Sequence, residues 1–313
     1  MPAPSEVGTA APSSLVMPSP GLPPFDYIRA TDRAEVTRVL LAHGPQARLL
    51  MGGTDIFVQM RDGALAPSIL IDVKHLPGMT ALDFDPKTGL QVGAAVNMNA
   101  LAAYPPARVH YPLLVQALDS VASYQLRTRA TMGGNLCNAS PAADTAPAAL
   151  VLEARCVVWG PDGERVIPAN AFFLGVRKTA LQPGEFLARI DFPLPPAGYA
   201  GCYLKLGRNA GGDLAIVGVA AMGYRDGSAA SGFRFRIALA SVAPTPIRAD
   251  AAEKLLAEHS VTDEVIAQAA QAAADAGRPI GDLRGSAVYR KAMSRNLTQR
   301  ALTAAWTQLQ EER

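Results

Sequence analysis

The sequence has little of the features that fix a protein's class at a glance. Lysine and arginine number 29 against 27 aspartates and glutamates, a formal net charge of +2 over 313 residues, so no basic surface or acidic tail dictates a nucleic-acid partner. Cysteine is scarce. Cys137, Cys156 and Cys202 are odd in number and form no C-x-x-C pair, which excludes a disulfide framework and argues against a complete zinc or iron–sulfur site from this chain alone. No apolar run approaches the roughly 20 residues that span a bilayer, and no repeat of about 20 to 50 residues suggests a solenoid. Residues 1–24 are rich in Pro, Ser and Ala with Glu6 as the one charged side chain. They lack the basic and apolar regions of a secretory signal and read as a disordered extension. These absences give a cytoplasmic globular protein as the expectation. The charged fraction is only 18% and alanine is abundant, which fits either surface covered by other chains or a genomic bias.

What is present are two glycine segments. In Leu49-Leu50-Met51-Gly52-Gly53-Thr54-Asp55 the apolar run from Ala47 to Met51 reads as a strand. Gly52-Gly53 then permits positive φ and close approach, and Thr54 is placed to cap a helical stretch from Asp55 to Arg61. The second, Ala130-Thr131-Met132-Gly133-Gly134-Asn135-Leu136, runs on to Asp144 and reads as a second bend. Free amides at a helix start point at an anion. One Gly-Gly bend is weak evidence, but two facing bends supply the converging donors that a pyrophosphate needs. Neither G-x-G-x-x-G nor G-x-x-x-x-G-K-[ST] occurs, so the common nucleotide-binding modes are absent.

Patterning divides the rest into three blocks. The first, residues 25–76, alternates strand and helix, with Asp32 as N-cap and Glu35 three residues on. The second, 77–197, has strands at Thr80 to Phe84 and Leu90 to Ala95, a helix near Pro112 to Ala122, the second glycine segment, a helix from Asp144 to Leu150, and strands at Arg155 to Trp159 and Glu185 to Phe192. The third, 198–313, has strands at Tyr203 to Arg208, Leu214 to Arg225 and Phe233 to Val242, then helices at Ile247 to Glu258, Asp263 to Ala276 and Ser286 to Glu311. The fold class is α+β.

Met51-Gly52-Gly53-Thr54-Asp55, Thr131-Met132-Gly133-Gly134-Asn135 with Asp144, Lys205-Leu206-Gly207-Arg208, and Gly281-Asp282-Leu283-Arg284-Gly285-Ser286-Ala287 with Tyr289-Arg290 together resemble the FAD-binding medium subunit of the molybdenum hydroxylases, the family of xanthine dehydrogenase and aerobic carbon monoxide dehydrogenase. The resemblance runs from about Phe25 to the C terminus. It implies an FAD-binding fold of the vanillyl-alcohol-oxidase (PCMH) type in two subdomains and a C-terminal domain of the carbon monoxide dehydrogenase flavoprotein type.

Carried over residue by residue, the resemblance gives Leu50, Met51, Gly52, Gly53, Thr54, Asp55 and Ile56, with Thr131, Met132, Gly133, Gly134 and Asn135, to the pyrophosphate and its surroundings. Val121 and Ala122 would border the cofactor, Asp144 the ribityl or ring side, and Leu187 the adenine or ring. Lys205 would place a positive charge near the flavin's polar edge. The family also implies a molybdenum cofactor on a large partner subunit, two [2Fe–2S] clusters on a small one, and a dimer of heterotrimers. In it this chain relays electrons to an external acceptor and binds no metal. Cys137 is left between loop packing and flavin contact, and Asp282 and Arg284 between a cap with an ion pair and a subunit contact. A stand-alone flavin oxidoreductase on the same fold is the rival reading.

Overall fold

A computed structural model describes residues 21–209 and 212–311. The expected N-terminal extension therefore lies outside the described residues, apart from 21–24, which have no regular structure. The first unit contains β1 (Asp26–Arg29), α1 (Arg33–His43), β2 (Ala47–Leu50), α2 (Ile56–Arg61) and β3 (Ile69–Asp72). Its three strands are parallel in the order β1-β3-β2. α1 starts where the polar pattern places it: Asp32 Oδ1 accepts from the Glu35 amide at 2.8 Å, and the Glu35 carboxylate reaches back to the Thr31 amide at 2.9 Å, a reciprocal cap. Because the strands are parallel, β2 ends on the side where its following loop is free to face a ligand.

The second unit is less regular than expected. After β4 (Leu82–Asp85) and β5 (Gly89–Gly93) come α3 (Met98–Ala103), α4 (Pro105–His110), α5 (Pro112–Asp119), α6 (Tyr124–Arg127), α7 (Met132–Asn138) and α8 (Thr145–Val151). The single helix expected near Pro112 to Ala122 is thus one of several short ones and stops at Asp119. Side-chain caps from Asn97, Ser123 and Thr131 and prolines at the starts of α4 and α5 cut the segment into turns too short for a periodic apolar stripe. The strand β6 (Arg155–Gly160) turns into β7 (Gly163–Pro168), with Gly163 at φ +101°. Then follow α9 (Ala169–Phe172), β8 (Phe173–Gly175), β9 (Lys178–Thr179) and β10 (Phe186–Phe192). The main sheet is antiparallel, β4-β5-β10-β6-β7.

The third unit comprises β11 (Ala200–Leu206), β12 (Val217–Arg225), β13 (Phe233–Ala240), β14 (Ile247–Arg248), α10 (Asp250–Glu258), α11 (Asp263–Ala276) and α12 (Ala287–Glu311). The helix expected from Ile247 begins three residues later because Ile247 and Arg248 pair with β13. This antiparallel sheet is apolar on both faces. Val217, Val219, Phe235, Ile237 and Leu239 pack with Leu256, Ile266, Ala301 and Leu302 of the C-terminal helices, while Tyr203, Ala220, Met222 and Ala238 join the core of the first two units. The alternation has period two, so successive residues of β11 face different domains.

At the start of α12 the buried Arg290 donates to the carbonyls of Ile216 (2.7 Å) and Ser241 (3.2 Å) and to Asp282 Oδ1 (2.7 Å). The Asp282 carboxylate also accepts from the Arg284 amide. Between the two alternatives left open above, the cap and ion pair are what the chain itself displays. Arg290→Met should cost ~3 kcal/mol by stranding this set, read as a lower urea midpoint at unchanged m; an unchanged midpoint would contradict the assignment of Arg290 as the clamp.

Candidate functional site

The two glycine segments meet through their backbones. A Cβ on Gly52 would lie 2.3 Å from the carbonyl oxygen of Arg129 and 3.1 Å from Cα of Ala130, so only glycine lets the loop after β2 lie against the chain entering α7. Gly53 follows at φ +81°, the left-handed turn expected of it. Thr54 does not cap: α2 begins at Ile56 with Asp55 in the N-cap position and no side-chain cap bond. The second segment is not a bend. Thr131 accepts from the Gly134 amide at 2.9 Å and starts α7, which contains both glycines. Gly133 is therefore needed for closeness and not for positive φ; a Cβ there would sit 2.4 Å from the Ala94 carbonyl oxygen.

This packing leaves donors without acceptors. The amides of residues 52–56 donate to no acceptor among the described residues, whereas Met132, at 0% exposure, follows directly on the antiparallel bridge between Asn97 and Thr131. Residues 52–56 border a cleft of ≈ 730 Å³, within the range of small-molecule and cofactor sites. Its wall brings together Met51, Gly52, Gly53, Thr54, Asp55 and Ile56 from one segment and Thr131, Gly134 and Asn135 from the other, with Val121, Ala122, Asp144 and Leu187. Ala122 stands at φ +45° in a turn held by the buried Arg127, whose Nη1 donates to the carbonyl of Val121 at 2.9 Å.

Four expected residues stand off the wall. Leu50, Met132 and Gly133 turn toward the core, so they can serve a ligand only through their backbones. Lys205 is committed elsewhere. Its Nζ donates to Asp144 Oδ2 and to the Ser120 carbonyl, each at 2.8 Å, so its charge is offset by a carboxylate and is not the free positive charge expected at the flavin's edge. Cys137 does line the cleft, and burial pushes its thiol up to about 12, which keeps it a neutral packing group.

Sequence reasoning missed Gln59, Asn138 and Arg177. Arg177 Nη1 donates to Gln59 Oε1 at 2.6 Å, Gln59 Nε2 to Asn138 Oδ1 at 3.3 Å, and the Arg177 amide to the Ala139 carbonyl at 3.0 Å. These side chains bridge α2, α7 and the chain before β9 along the cleft. They belong to no motif, so no signal in the sequence marked them. Arg48 and Arg177 are the cations of the wall. Of its acids, Glu185 is held by Arg165 and Asp213 by Arg208. Arg208's hydrogen bonds draw the Asp213 carboxyl down to about 2. Asp55 has no such partner: burial raises its carboxyl pKa, against the opposing charge of Arg177.

Residues 23–195 match the family described as the FAD binding domain in molybdopterin dehydrogenase, and residues 202–305 the CO dehydrogenase flavoprotein C-terminal domain. The carbon monoxide dehydrogenase medium chain of Hydrogenophaga pseudoflava is 34% identical over 91% of this chain and 98% of that one. The putative xanthine dehydrogenase FAD-binding subunit of Escherichia coli K12 is 30% identical over 89% and 95%. Among solved structures, carbon monoxide dehydrogenase from H. pseudoflava superposes with a TM-score of 0.87 at 36% identity, covering 92% of this chain and 99% of that chain. Quinoline 2-oxidoreductase from Pseudomonas putida 86 does so with 0.84 at 28%, covering 92% and 99%. The expected α+β fold class, an FAD-binding fold followed by a flavoprotein C-terminal domain, is borne out by these likenesses.

The backbone contacts give a stability prediction. Gly52→Ala and Gly133→Ala should each lower unfolding free energy by ~1–3 kcal/mol through overpacking. Gly227→Ala, with nothing within 4 Å of the new methyl, should change it by no more than ~0.5 kcal/mol. Equal denaturation midpoints for all three would show that the two segments do not touch as described.

Proposed function

The chain belongs to the FAD-binding medium subunits of the molybdenum hydroxylases, and we propose that it holds FAD, non-covalently, in the cleft between Gly52-Gly53 and Thr131–Asn135. The observation that carries this reading is the set of acceptor-free amides at residues 52–56 on a cleft of ≈ 730 Å³ whose wall also holds Thr131, Gly134 and Asn135 of the second segment. These amides present a run of free hydrogen-bond donors to the cleft, with the second segment on the same wall, which suits a pyrophosphate. The chemistry of the donor set fits the cofactor, and Arg48 and Arg177 are the cations available on the wall for its charge.

In this reading Thr54, Thr131 and the glycine backbones bind the phosphates. Val121, Ala122 and Leu187 exclude water from the ring, and Asp144 offers its remaining lone pairs to the polar side of the ring or the ribityl chain. FAD supplies, when bound, a group that accepts electrons singly and gives them up in pairs. The residues of this chain position that group and set its electrostatic surroundings; the substrate is transformed on a partner. The match across nearly the whole length of the carbon monoxide dehydrogenase medium chain supports a large molybdenum-bearing partner and a small partner with two [2Fe–2S] clusters. It also supports a dimer of such heterotrimers working in the cytoplasm. No described helix is long and apolar enough to cross a membrane.

Acid precipitation of the purified chain should release FAD into the supernatant; a yellow pellet would show a covalent link, and a colourless preparation would overturn the FAD assignment. Purified alone, the loaded chain should bleach with dithionite and not with a purine, an aldehyde, an aromatic heterocycle or carbon monoxide. Bleaching by any of these without partner subunits would contradict the relay.

A further inference from the structure

Asp144, on the cleft wall, is gripped by the third domain. Tyr203 and Lys205 are two residues apart on β11 and so share the face turned toward α8. The Tyr203 phenol donates to Asp144 Oδ1 at 2.7 Å and Lys205 Nζ to Asp144 Oδ2 at 2.8 Å. Each carboxylate oxygen thus holds one donor from another domain. Asp144 is 4% exposed and Tyr203 6%. The neighbouring strand is built to admit this hydroxyl: a Cβ on Gly218 of β12 would lie 2.3 Å from Tyr203 Oη. A phenylalanine would fill the same core volume, and the one thing tyrosine adds is a buried O–H, which is costly unless bonded.

We propose that Tyr203 is a positioning residue for the cofactor, acting through Asp144 to fix the place and the negative charge of the carboxylate that faces the flavin. The inference rests on the reading of the cleft as the FAD site. With the hydroxyl in place, each oxygen of Asp144 holds a donor, Tyr203 on one and Lys205 on the other, and the carboxylate keeps its remaining lone pairs for the cleft. The charged and titratable groups acting on Asp144 are Lys205 and Tyr203, both from β11. Burial raises its carboxyl pKa, while the Lys205 charge and the hydrogen bonds of both residues lower it. The end of α5 contributes the Ser120 carbonyl, which accepts from Lys205. α7 contributes the neutral Asn135, bound by Thr145 at 2.7 Å. Removing the phenol removes one of the influences that keep the carboxylate charged. Asp144 then takes a proton at a higher pH than in the wild type, and the Lys205 charge is left unbalanced behind the cleft wall.

The test is a redox titration of the flavin against pH in the assembled enzyme, comparing wild type, Tyr203→Phe and Asp144→Asn. Tyr203→Phe should retain a full complement of FAD and show an extra step in the curve of midpoint potential against pH. Below that step its potential should lie above the wild-type value, because an unbalanced positive charge favours the more negative reduced cofactor. Asp144→Asn should raise the potential across the whole range without the step. Superimposable wild-type and Tyr203→Phe curves at equal FAD content would overturn the proposal, as would an Asp144→Asn potential equal to wild type. Loss of fold or of FAD from Tyr203→Phe while Asp144→Asn keeps both would also overturn it, since packing and not the hydroxyl's bond would then matter. A wild-type enzyme with no FAD on this chain would instead overturn the reading of the cleft.

Discussion

The structure depends on one close approach, between the backbone at Gly52 and that at Arg129 and Ala130. With 2.3 Å from a Gly52 Cβ position to the Arg129 oxygen, any side chain would force the segments apart. The units with the parallel and the antiparallel sheet share one hydrophobic core, and this contact sets the loop after β2 against the chain entering α7 at the cleft. Gly133, packed on Ala94, repeats the same device one layer deeper. The glycines place donors that secondary structure leaves unused, and a charged ligand is the natural complement of such a set.

The third domain completes the wall by a different route. Its sheet is apolar on both faces, so it serves as a partition between the C-terminal helices and the helices of the middle domain. Because side chains alternate across a strand, β11 can send Cys202 and Leu204 to one core while sending Tyr203 and Lys205 to Asp144. A buried carboxylate with a donor on each oxygen is held in one orientation, and shifting the sheet would strand a charge in the interior. The charge inventory of the cleft follows the same economy: Glu185, Asp213 and Asp144 each have a cation, leaving Asp55 and the two arginines of the wall as the groups a ligand would meet.

What was legible in the sequence was whatever local chemistry determines. Asp32 and Glu35 marked a helix start, Gly53 marked positive φ, and the helix read over Asp263 to Ala276 is α11 to the residue, which in the structure Thr262 caps and Gly277 follows. The short helices between Asn97 and Asn138 were not legible, because each is set by a cap or a proline and by tertiary contact, with too few turns for periodicity to register. Gly133 and Gly134 were misread as a bend because two glycines favour one in isolation. Here Thr131 caps them into a helix and Ala94 requires the missing Cβ. Lys205 and Asp144 were each singled out but not as a pair, since they lie 61 residues apart and no spacing rule links them. Arg177 and Gln59 were invisible for the same reason.

The central claim is that both glycine segments together seat one dinucleotide, and amide hydrogen exchange of the chain with and without FAD tests it most directly. The account predicts slowed exchange on FAD binding in residues 51–56 and in 131–135 alike, with the strands facing the C-terminal helices unchanged. Protection confined to one of the two segments, or absent from both while FAD is bound, would contradict it.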